Sequence, residues 1–449
     1  MLTKCYRSVV LFLLTGNMML GAGEAKTGWS SAALPAVKEV YRHYLDSFGL
    51  TCNFKPLDRE FGELQIPELR SGVARHADSV TMENEMKPDS IFAPVGKNKK
   101  LQIAKEKFSA SNGKVIDVPV LNGLKHLDKI FQACKDAGLV MRGHVLVWHS
   151  QTPAAFFAEN YTPILHKNML RNPVDKETMT ARMEWYIKTV LSYVTEWEKK
   201  HNHGKRIVWV WDVVNEAVAD DASKVFSGSS QQWLRGATRN TKDRPPNRGG
   251  SRWYQIYGCE EYIINAFCFA SAYAPADVKL CYNDENVYMD WKGRHGSWKT
   301  SAILHLIRQI RNAPGIMVNG KVVKPRLDVI GMESHVPEHW PRAKGYEKGL
   351  KRILAAGVDV HVTEFDIRTK SREKAAELYA EYFQLFKKYG KQHPGPHKIR
   401  NITIWGIANQ DSWISKGGVN FPLLFDREDK FYYPNKAFFS VISAAGASL

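Results

Sequence analysis

The chain has 449 residues, of which 44% are hydrophobic and 24% are charged, and this is the composition of a globular protein. It excludes a disordered chain, and no run of about 20 apolar residues is present that could span a membrane. The formal net charge of +17 admits a nucleic acid or an acidic polysaccharide as partner. Since the basic residues are spread along the chain without a nucleic-acid-binding motif, we expect no nucleic-acid partner.

Residues 1–25 have the pattern of a secretory signal peptide. Lys4 and Arg7 give a positive start, Val9 to Leu20 is largely apolar, and small residues precede a cleavage point after Ala25. We therefore expect a secreted protein, extracellular or periplasmic, with no membrane anchor. Cleavage would remove two positive charges and one negative charge, which leaves a formal charge of +16 on a single domain of residues 26–449.

Five cysteines follow the predicted signal peptide, so at least one of them cannot pair within the chain. No CxxC pair indicates a zinc site. Cys259 and Cys268 form the candidate disulfide, and the pairing among Cys52, Cys134 and Cys281 stays open.

Short β-branched runs alternate with helical patterns along the whole chain. The predicted strands are Ser79–Met82, Val140–Trp148, Ile207–Val214, Val278–Tyr282, Leu327–Met332, Val358–Thr363 and Asn401–Trp405. The predicted helices between them include Leu124–Ala137, Met179–Lys199, Thr300–Arg311 and Arg372–Tyr389. This alternation is typical of parallel βαβ units.

An eighth strand would close a (β/α)₈ barrel, and we expect it within Asn53 to Gln65, where the pattern is poor. The alternative is an open doubly wound sheet, but no GxGxxG follows the first strand. The predicted fold is a single α/β barrel with two inserted loops. These are the Lys-rich segment from Gly96 to Val118 and the basic segment from Asp220 to Arg252, which either touches substrate or is only solvated.

Polar and aromatic residues gather at the carboxyl ends of the predicted strands, and in a barrel these ends meet at one mouth. Glu216 ends VWDVVNE and Glu364 ends VDVHVTE, so each carboxylate follows an apolar strand. Glycoside cleavage needs such a pair, one carboxylic acid to protonate the leaving oxygen and one carboxylate to attack carbon or activate water. Nearby tryptophan rings can stack on the faces of sugar rings, and nearby amides can hydrogen-bond to sugar hydroxyl groups.

At these motifs the chain resembles glycoside hydrolase family 10, the endo-β-1,4-xylanase family, over nearly everything after residue 30. The matching motifs are ENEMK at 83–87, RGHVLVWHSQTP at 142–153, WDVVNEA at 211–217, YND at 282–284, SH at 334–335, VTEFD at 362–366, WG at 405–406 and SW at 412–413. The resemblance implies hydrolysis of the xylan backbone with retention of anomeric configuration through a covalent glycosyl-enzyme intermediate.

The resemblance also implies residue roles. Glu216 would be the acid/base with Asn215 beside it, and Glu364 would be the nucleophile, aimed by His335. The residues implied to bind sugar are Glu83, Asn84, Lys87, His144, Trp148 and Gln151 on the glycone side, Trp405 and Trp413 at the point of cleavage, and Tyr282 and Asn283 on the aglycone side. The two catalytic carboxyl groups should lie about 5 to 5.5 Å apart.

We expect no cofactor and no metal. His144 and His149 are five residues apart on a predicted strand, which would send the two rings to opposite faces. The expected partner is xylan or a xylo-oligosaccharide, and the expected state is a monomer. The alternatives are another retaining β-glycanase of the same barrel clan and a barrel that binds glycan without cutting it.

The chain departs from the family pattern at a few positions. The family has glutamine two residues before its active-site histidine, and here that position is Glu333. A third carboxylate near Glu364 would be protonated or paired with an Arg or His, and would shift the pH profile. Pro88, Asn409 and Glu285 also differ from common family residues, and Glu285 puts aglycone stacking in doubt.

Overall fold

The computed structural model describes residues 28–55, 60–96, 100–223, 231–291, 297–415 and 420–447. Eight parallel strands close into a barrel. In chain order they are β1 Ser47–Cys52, β2 Ser79–Met82, β3 Val140–Trp148, β4 Val208–Asn215, β5 Lys279–Asp284, β6 Val329–Met332, β7 Asp359–Arg368 and β8 Ile399–Ile404. Ser47 of β1 pairs with Asn401 of β8, which closes the ring. The predicted signal peptide lies outside the described residues.

The first strand is the one strand that the sequence placed wrongly. We expected it within Asn53 to Gln65, but it ends at Cys52. Its sequence, SFGLTC, contains a single β-branched residue, so the usual strand signal is missing. A Cβ on Gly49 would lie 2.6 Å from the Thr403 hydroxyl. The close approach of the neighbouring strand therefore requires glycine at a position where a β-branched residue would have marked the strand.

α-Helices surround the barrel, and the four predicted helices are all present with small changes at their ends. The α-helices are Val37–Tyr41, Pro67–His76, Pro88–Phe92, Leu124–Asp136, Ala154–Phe157, Lys176–His201, Arg252–Tyr257, Glu261–Tyr273, Lys299–Asn312, Arg342–Ala355, Arg372–Lys388 and Lys436–Ala444. The longest one begins after Asp175, whose carboxylate accepts a hydrogen bond from the backbone N–H of Thr178 at 2.7 Å. No helix in the described ranges is long and apolar enough to cross a membrane.

Both predicted insertions lie outside the barrel wall. The first folds into an antiparallel hairpin of Ile103–Ser109 with Val115–Pro119. The second, after β4, is described at 220–223 and from residue 231 onward and contains a 3₁₀ turn at Pro246–Arg248. Further two-stranded hairpins pair Leu165–His166 with Met169–Leu170, Ile316–Val318 with Lys321–Val323, and Phe425–Glu428 with Phe431–Pro434. A short strand, His335–Pro337, pairs with β7 above β6.

The predicted disulfide between Cys259 and Cys268 is wrong, because both residues carry free thiols. Cys268 is buried on the helix Glu261–Tyr273, and Cys259 lies before that helix begins. The seven steps along the helix from Glu261 to Cys268 rise roughly 10 Å, which is more than the ~7 Å between Cα atoms that a disulfide can bridge. The helix therefore carries Cys268 away from its first turn, next to which Cys259 lies.

Candidate active site

A pocket of about 370 Å³ opens at the carboxyl end of the barrel. Its walls contain twelve of the fourteen predicted site residues, drawn from loops after strands far apart in the sequence. The lining residues are Glu83, Asn84, Lys87, His144, Trp148, Gln151, Asn215, Glu216, Glu285, Glu333, His335, Glu364, Trp405 and Trp413. The predicted residues Tyr282 and Asn283 do not line the pocket. Glu285 and Glu333 line it but were not among the predicted site residues.

Glu216 follows β4 directly and has a positive φ of 50°, which turns its side chain over the mouth of the barrel. Its backbone N–H donates to the Asn283 carbonyl at 3.0 Å, which holds this turn against β5. Burial raises the pKa of Glu216, and the charges of Asp284 and Glu364 raise it further against the opposing charge of Arg235. A raised carboxyl pKa is the shift that a general acid requires.

Glu364 lies on β7, and its environment acts in the opposite direction. Burial favours the neutral acid, but the hydrogen bond from His335 and the charges of His144 and Lys87 outweigh burial and lower the pKa of Glu364. His335 Nε2 is 3.2 Å from Glu364 Oε2, and the Asn283 amide donates to Oε1 at 3.0 Å. Glu364 is therefore an ionised carboxylate with fixed orientation.

His335 is held between two carboxylates. Its Nδ1 lies 2.9 Å from Asp366, which also accepts a hydrogen bond from the Trp413 indole at 2.8 Å. Burial opposes protonation of His335, but Asp366 and Glu364 outweigh it and raise the pKa of His335 to about 10. The imidazolium therefore donates from both nitrogens and stabilises the charge on Glu364.

Glu333 lies beside this pair, with Oε2 3.9 Å from His335 Nε2 and Oε1 3.2 Å from the Asn283 amide. Burial, followed by the charges of Glu364 and Glu216, raises the pKa of Glu333 well above its usual range. Of the two states predicted for this residue, the structure favours the protonated acid. A neutral acid has nearly the shape of the glutamine that the family carries here.

We expect Glu333→Gln to keep activity near neutral pH and to extend the alkaline limb of kcat/KM by about 0.5–1 pH unit. Glu333 is neutral below its raised pKa, and as pH rises through that value it adds a negative charge beside Glu364. Glutamine cannot ionise, so the variant does not acquire this negative charge and keeps its kcat/KM to higher pH. The measurement is a pH–rate profile, with Glu106→Gln on an exposed hairpin as control. An unchanged profile in Glu333→Gln would contradict the expectation.

Among the described residues, Glu333, His335 and Glu364 form the group of side chains whose ligand atoms lie close enough to hold a metal ion, within 4.8 Å of one another. Protonated His335 has no lone pair to offer, and protonated Glu333 is a poor ligand. The donor set therefore disfavours a cation here. The absence of a metal cofactor stays a prediction.

The predicted glycone residues form a connected polar wall. The Gln151 amide donates to Asn84 Oδ1 at 3.1 Å, and Lys87 Nζ lies 3.4 Å from the same oxygen. The Lys87 ammonium is also 5.0 Å from the centre of the Trp148 ring. Glu83 accepts from the Asn53 amide at 2.9 Å. These contacts fix donors and acceptors at one end of the pocket.

The tryptophans give the pocket its apolar faces. Trp405 is buried and packs edge-on against His144 and His335, with ring centres 5.6 and 6.1 Å apart. Trp413 is 42% exposed, so its ring is available to a ligand. Its Asp366 hydrogen bond holds the ring in place.

His144 and His149 lie close to different carboxylates of the site. His144 Nδ1 lies 4.0 Å from Glu364, and His149 Nδ1 lies 3.7 Å from Glu216. Each ring therefore reaches one of the two carboxylates.

A buried charge network inside the barrel supports the pocket wall at His144. Arg142 is hydrogen-bonded to Asp212 through two nitrogens, and its third nitrogen lies 2.8 Å from His361. Asp212 Oδ2 also lies 3.0 Å from His144 Nδ1. Asp212 thus links the barrel core to a ring beside Glu364.

Tyr282 and Asn283 lie below the pocket surface and are fully buried. The Tyr282 hydroxyl accepts from the backbone N–H groups of Ala217 and Val218 at 3.1 and 3.0 Å, directly after Glu216. A Cβ on Gly331 would lie 2.1 Å from the Asn283 amide oxygen, so this approach needs glycine. Both residues therefore support the carboxylates from beneath.

Arg235 and Glu285 complete the site, and the sequence did not identify Arg235. Its guanidinium donates to the Glu216 carbonyl at 2.7 Å, and it lies 3.8 Å from the Glu216 carboxylate and 3.5 Å from Glu285. Burial and the charges of Asp220 and Glu216 raise the pKa of Glu285 to about 8. The number of residues between Arg235 and Glu216 does not predict their contact, because Arg235 belongs to the inserted loop. Asp366, two residues after Glu364, shares its strand face and could have been inferred.

A closed (β/α)₈ barrel with two carboxyl groups at its carboxyl mouth, one with a raised and one with a lowered pKa, is the architecture of a glycoside hydrolase. Residues 36–444 match the family model described as glycosyl hydrolase family 10. The chain belongs to that family.

Two curated relatives and one solved structure illustrate the likeness. Endo-1,4-beta-xylanase Y of Acetivibrio thermocellus is 29% identical over 97% of this chain and 34% of its own length. The beta-1,4-xylanase of Dictyoglomus thermophilum is 28% identical over 97% of both chains. The N-terminal modules of Clostridium thermocellum endo-1,4-beta-D-xylanase 10B, complexed with xylohexaose, superpose with a TM-score of 0.65 at 27% identity over 93% of this chain and 69% of theirs. This chain spans about a third of the length of the first curated relatives.

Proposed function

We propose that the chain is an endo-β-1,4-xylanase that hydrolyses the xylan backbone with retention of anomeric configuration. The observation that carries the proposal is the meeting of Glu216 and Glu364 in one pocket, with Arg235 on Glu216 and His335 on Glu364. The surroundings raise the pKa of Glu216 and lower that of Glu364. The names of the relatives support xylan as the substrate. A xylo-oligosaccharide ligand is supported by the xylohexaose complex of the related structure.

In the first step Glu364 attacks the anomeric carbon while protonated Glu216 gives its proton to the leaving glycosidic oxygen. The bond between that carbon and oxygen breaks, and a covalent bond to Glu364 forms. In the second step Glu216, now ionised, takes a proton from water, whose oxygen displaces Glu364. Two inversions at one carbon leave the product with the configuration of the substrate.

The direct test is release of reducing sugar from glucuronoxylan, with cellulose and mannan measured alongside. Short xylo-oligosaccharides from xylan, first formed as the β-anomer in proton NMR, are the expected result. Faster release from cellulose or mannan would favour another retaining β-glycanase. Binding of xylan without any release would favour a non-catalytic glycan-binding barrel.

We also propose that the protein is secreted and acts as a monomer without a membrane anchor. Support for secretion is the charge and apolar pattern of residues 1–25. Mass spectrometry of protein from the medium or periplasm would find an N-terminus at Lys26. Size-exclusion chromatography with light scattering would give the mass of one chain.

A further inference from the structure

A second pocket, of about 380 Å³, lies in the loops after β3 and β4, and we call it the insertion pocket. Its walls are residues 241–244 and Pro246 of the insertion, the start of the helix Arg252–Tyr257, and the hairpin residues 168–171. Its volume falls in the ~300–1,000 Å³ range of small-molecule sites. The proposed reaction uses none of these residues.

The insertion pocket is strongly positive. Arg171, Lys242, Arg244 and Arg252 line it, against a single acidic residue, Asp243. Within the described parts of the chain, these four cations make no ion pair and no side-chain hydrogen bond, and the Nε of Arg252 is buried without a partner. Arg171, Lys242 and Arg244 are exposed, and Arg252 is half-buried with its guanidinium 5.9 Å from the centre of the Phe157 ring. An anionic ligand would supply the charged hydrogen-bond acceptor that the four cations do not find among the described residues.

The insertion pocket is connected to the active-site pocket by two pairs of residues that are neighbours in sequence. Gly236 lines the pocket, and the preceding residue, Arg235, touches Glu216. Arg252 also lines the pocket, and the following residue, Trp253, donates its indole N–H to the Trp148 carbonyl at 3.0 Å. These two links place the loops of the insertion pocket directly behind the residues that hold Glu216 and Trp148.

We propose that the insertion pocket binds the carboxylate of an acidic sugar carried as a side chain on the xylan backbone, while the backbone occupies the cleft. The inference rests on the proposed function and names the substituent that the enzyme prefers. Guanidinium groups pair well with carboxylates, and the half-buried Tyr254 offers a face for the sugar ring. A pocket of this size accommodates one sugar residue rather than the long phosphate track of a nucleic acid.

The test compares glucuronoxylan with the same polymer after carboxyl reduction, which changes the charge of the side chain but not its size. In the double variant Lys242→Gln/Arg244→Gln, the ratio of kcat/KM on the acidic polymer to that on the reduced one should fall by about threefold to tenfold, mainly through KM. The matched control is Arg239→Gln/Arg248→Gln, which removes two exposed arginines of the same insertion that do not line the pocket.

An unchanged ratio in the double variant, or an equal fall in the control, would overturn the proposal. Calorimetry separates it from the proposed function, because it measures binding of a glucuronic-acid-substituted xylo-oligosaccharide and its unsubstituted parent without catalysis. The wild type should prefer the acidic ligand, and Lys242→Gln/Arg244→Gln should lose that preference. If neither polymer is cut, the proposed function fails, and equal binding of both oligosaccharides would still reject the pocket.

Discussion

Replacing Glu364 with alanine is expected to lower kcat on xylan by about 10⁴-fold or more, because no other group can form the covalent intermediate. The side chain lines the pocket and is held by His335 and Asn283, so its loss should leave the fold intact. The measurement is single-substrate kinetics on xylan, with Glu106→Ala as a control on an exposed hairpin.

Chemical rescue separates the roles of the two carboxyl groups. With an aryl xylobioside whose leaving group needs no proton, azide can take the place left by Glu364 in Glu364→Ala. A single inversion then gives the α-glycosyl azide. In Glu216→Ala, azide instead attacks the intermediate on Glu364, and two inversions give the β-azide. The reverse assignment of products would show that the acid/base and nucleophile have been exchanged.

Replacing Asp212 with asparagine is expected to cost about 3–5 kcal/mol of unfolding free energy, since it leaves Arg142 charged and unpaired inside the barrel. Both side chains are almost completely buried. The pair itself need not stabilise the protein. Arg142→Met/Asp212→Leu, which removes both charges, should therefore lose much less than Asp212→Asn.

The same pair gives a pH dependence. Burial would raise the pKa of Asp212, but Arg142 and His144 outweigh it and hold the pKa far below its usual range. A group with a lowered pKa stabilises the folded state above its unfolded pKa of about 3.9, and the stabilisation is lost as pH falls below that value. Urea unfolding at pH 7 and at about pH 3 should show a smaller cost of Asp212→Asn at the lower pH.

The exposed pair of Lys107 and Asp117 provides the control for the stability measurement. Asp117→Asn should leave unfolding by urea unchanged, because a solvated ion pair contributes little. A cost for Asp212→Asn no larger than that of Asp117→Asn would contradict the role given to the buried network. Loss of xylan hydrolysis in Asp212→Asn at full stability would instead show that it acts through His144.

The order of strands and helices and most of the site residues could be predicted from the amino-acid sequence. Seven strands were predicted from β-branched runs, because such runs mark buried parallel strands wherever they occur. Since the carboxyl ends of all barrel strands meet at one mouth, the residues that follow those strands were expected to lie close together. Twelve of the fourteen predicted site residues line one pocket. The first strand was misplaced because Gly49 packs closely there without a β-branched run.

The electrostatics of the site and the contacts that support it depend on how the chain folds in three dimensions. The pKa values of Glu216, Glu333 and Glu364 depend on burial and on charges from several strands, none of which is visible in local sequence. Arg235 reaches Glu216 from a loop whose path no spacing rule gives. Tyr282 and Asn283 were correctly predicted to lie near the catalytic carboxylates, but they lie beneath the pocket surface. The direction of a strand does not determine how deeply each of its side chains is buried. The insertion pocket forms where two loops meet, so its positive charge could be read from the sequence but its position could not.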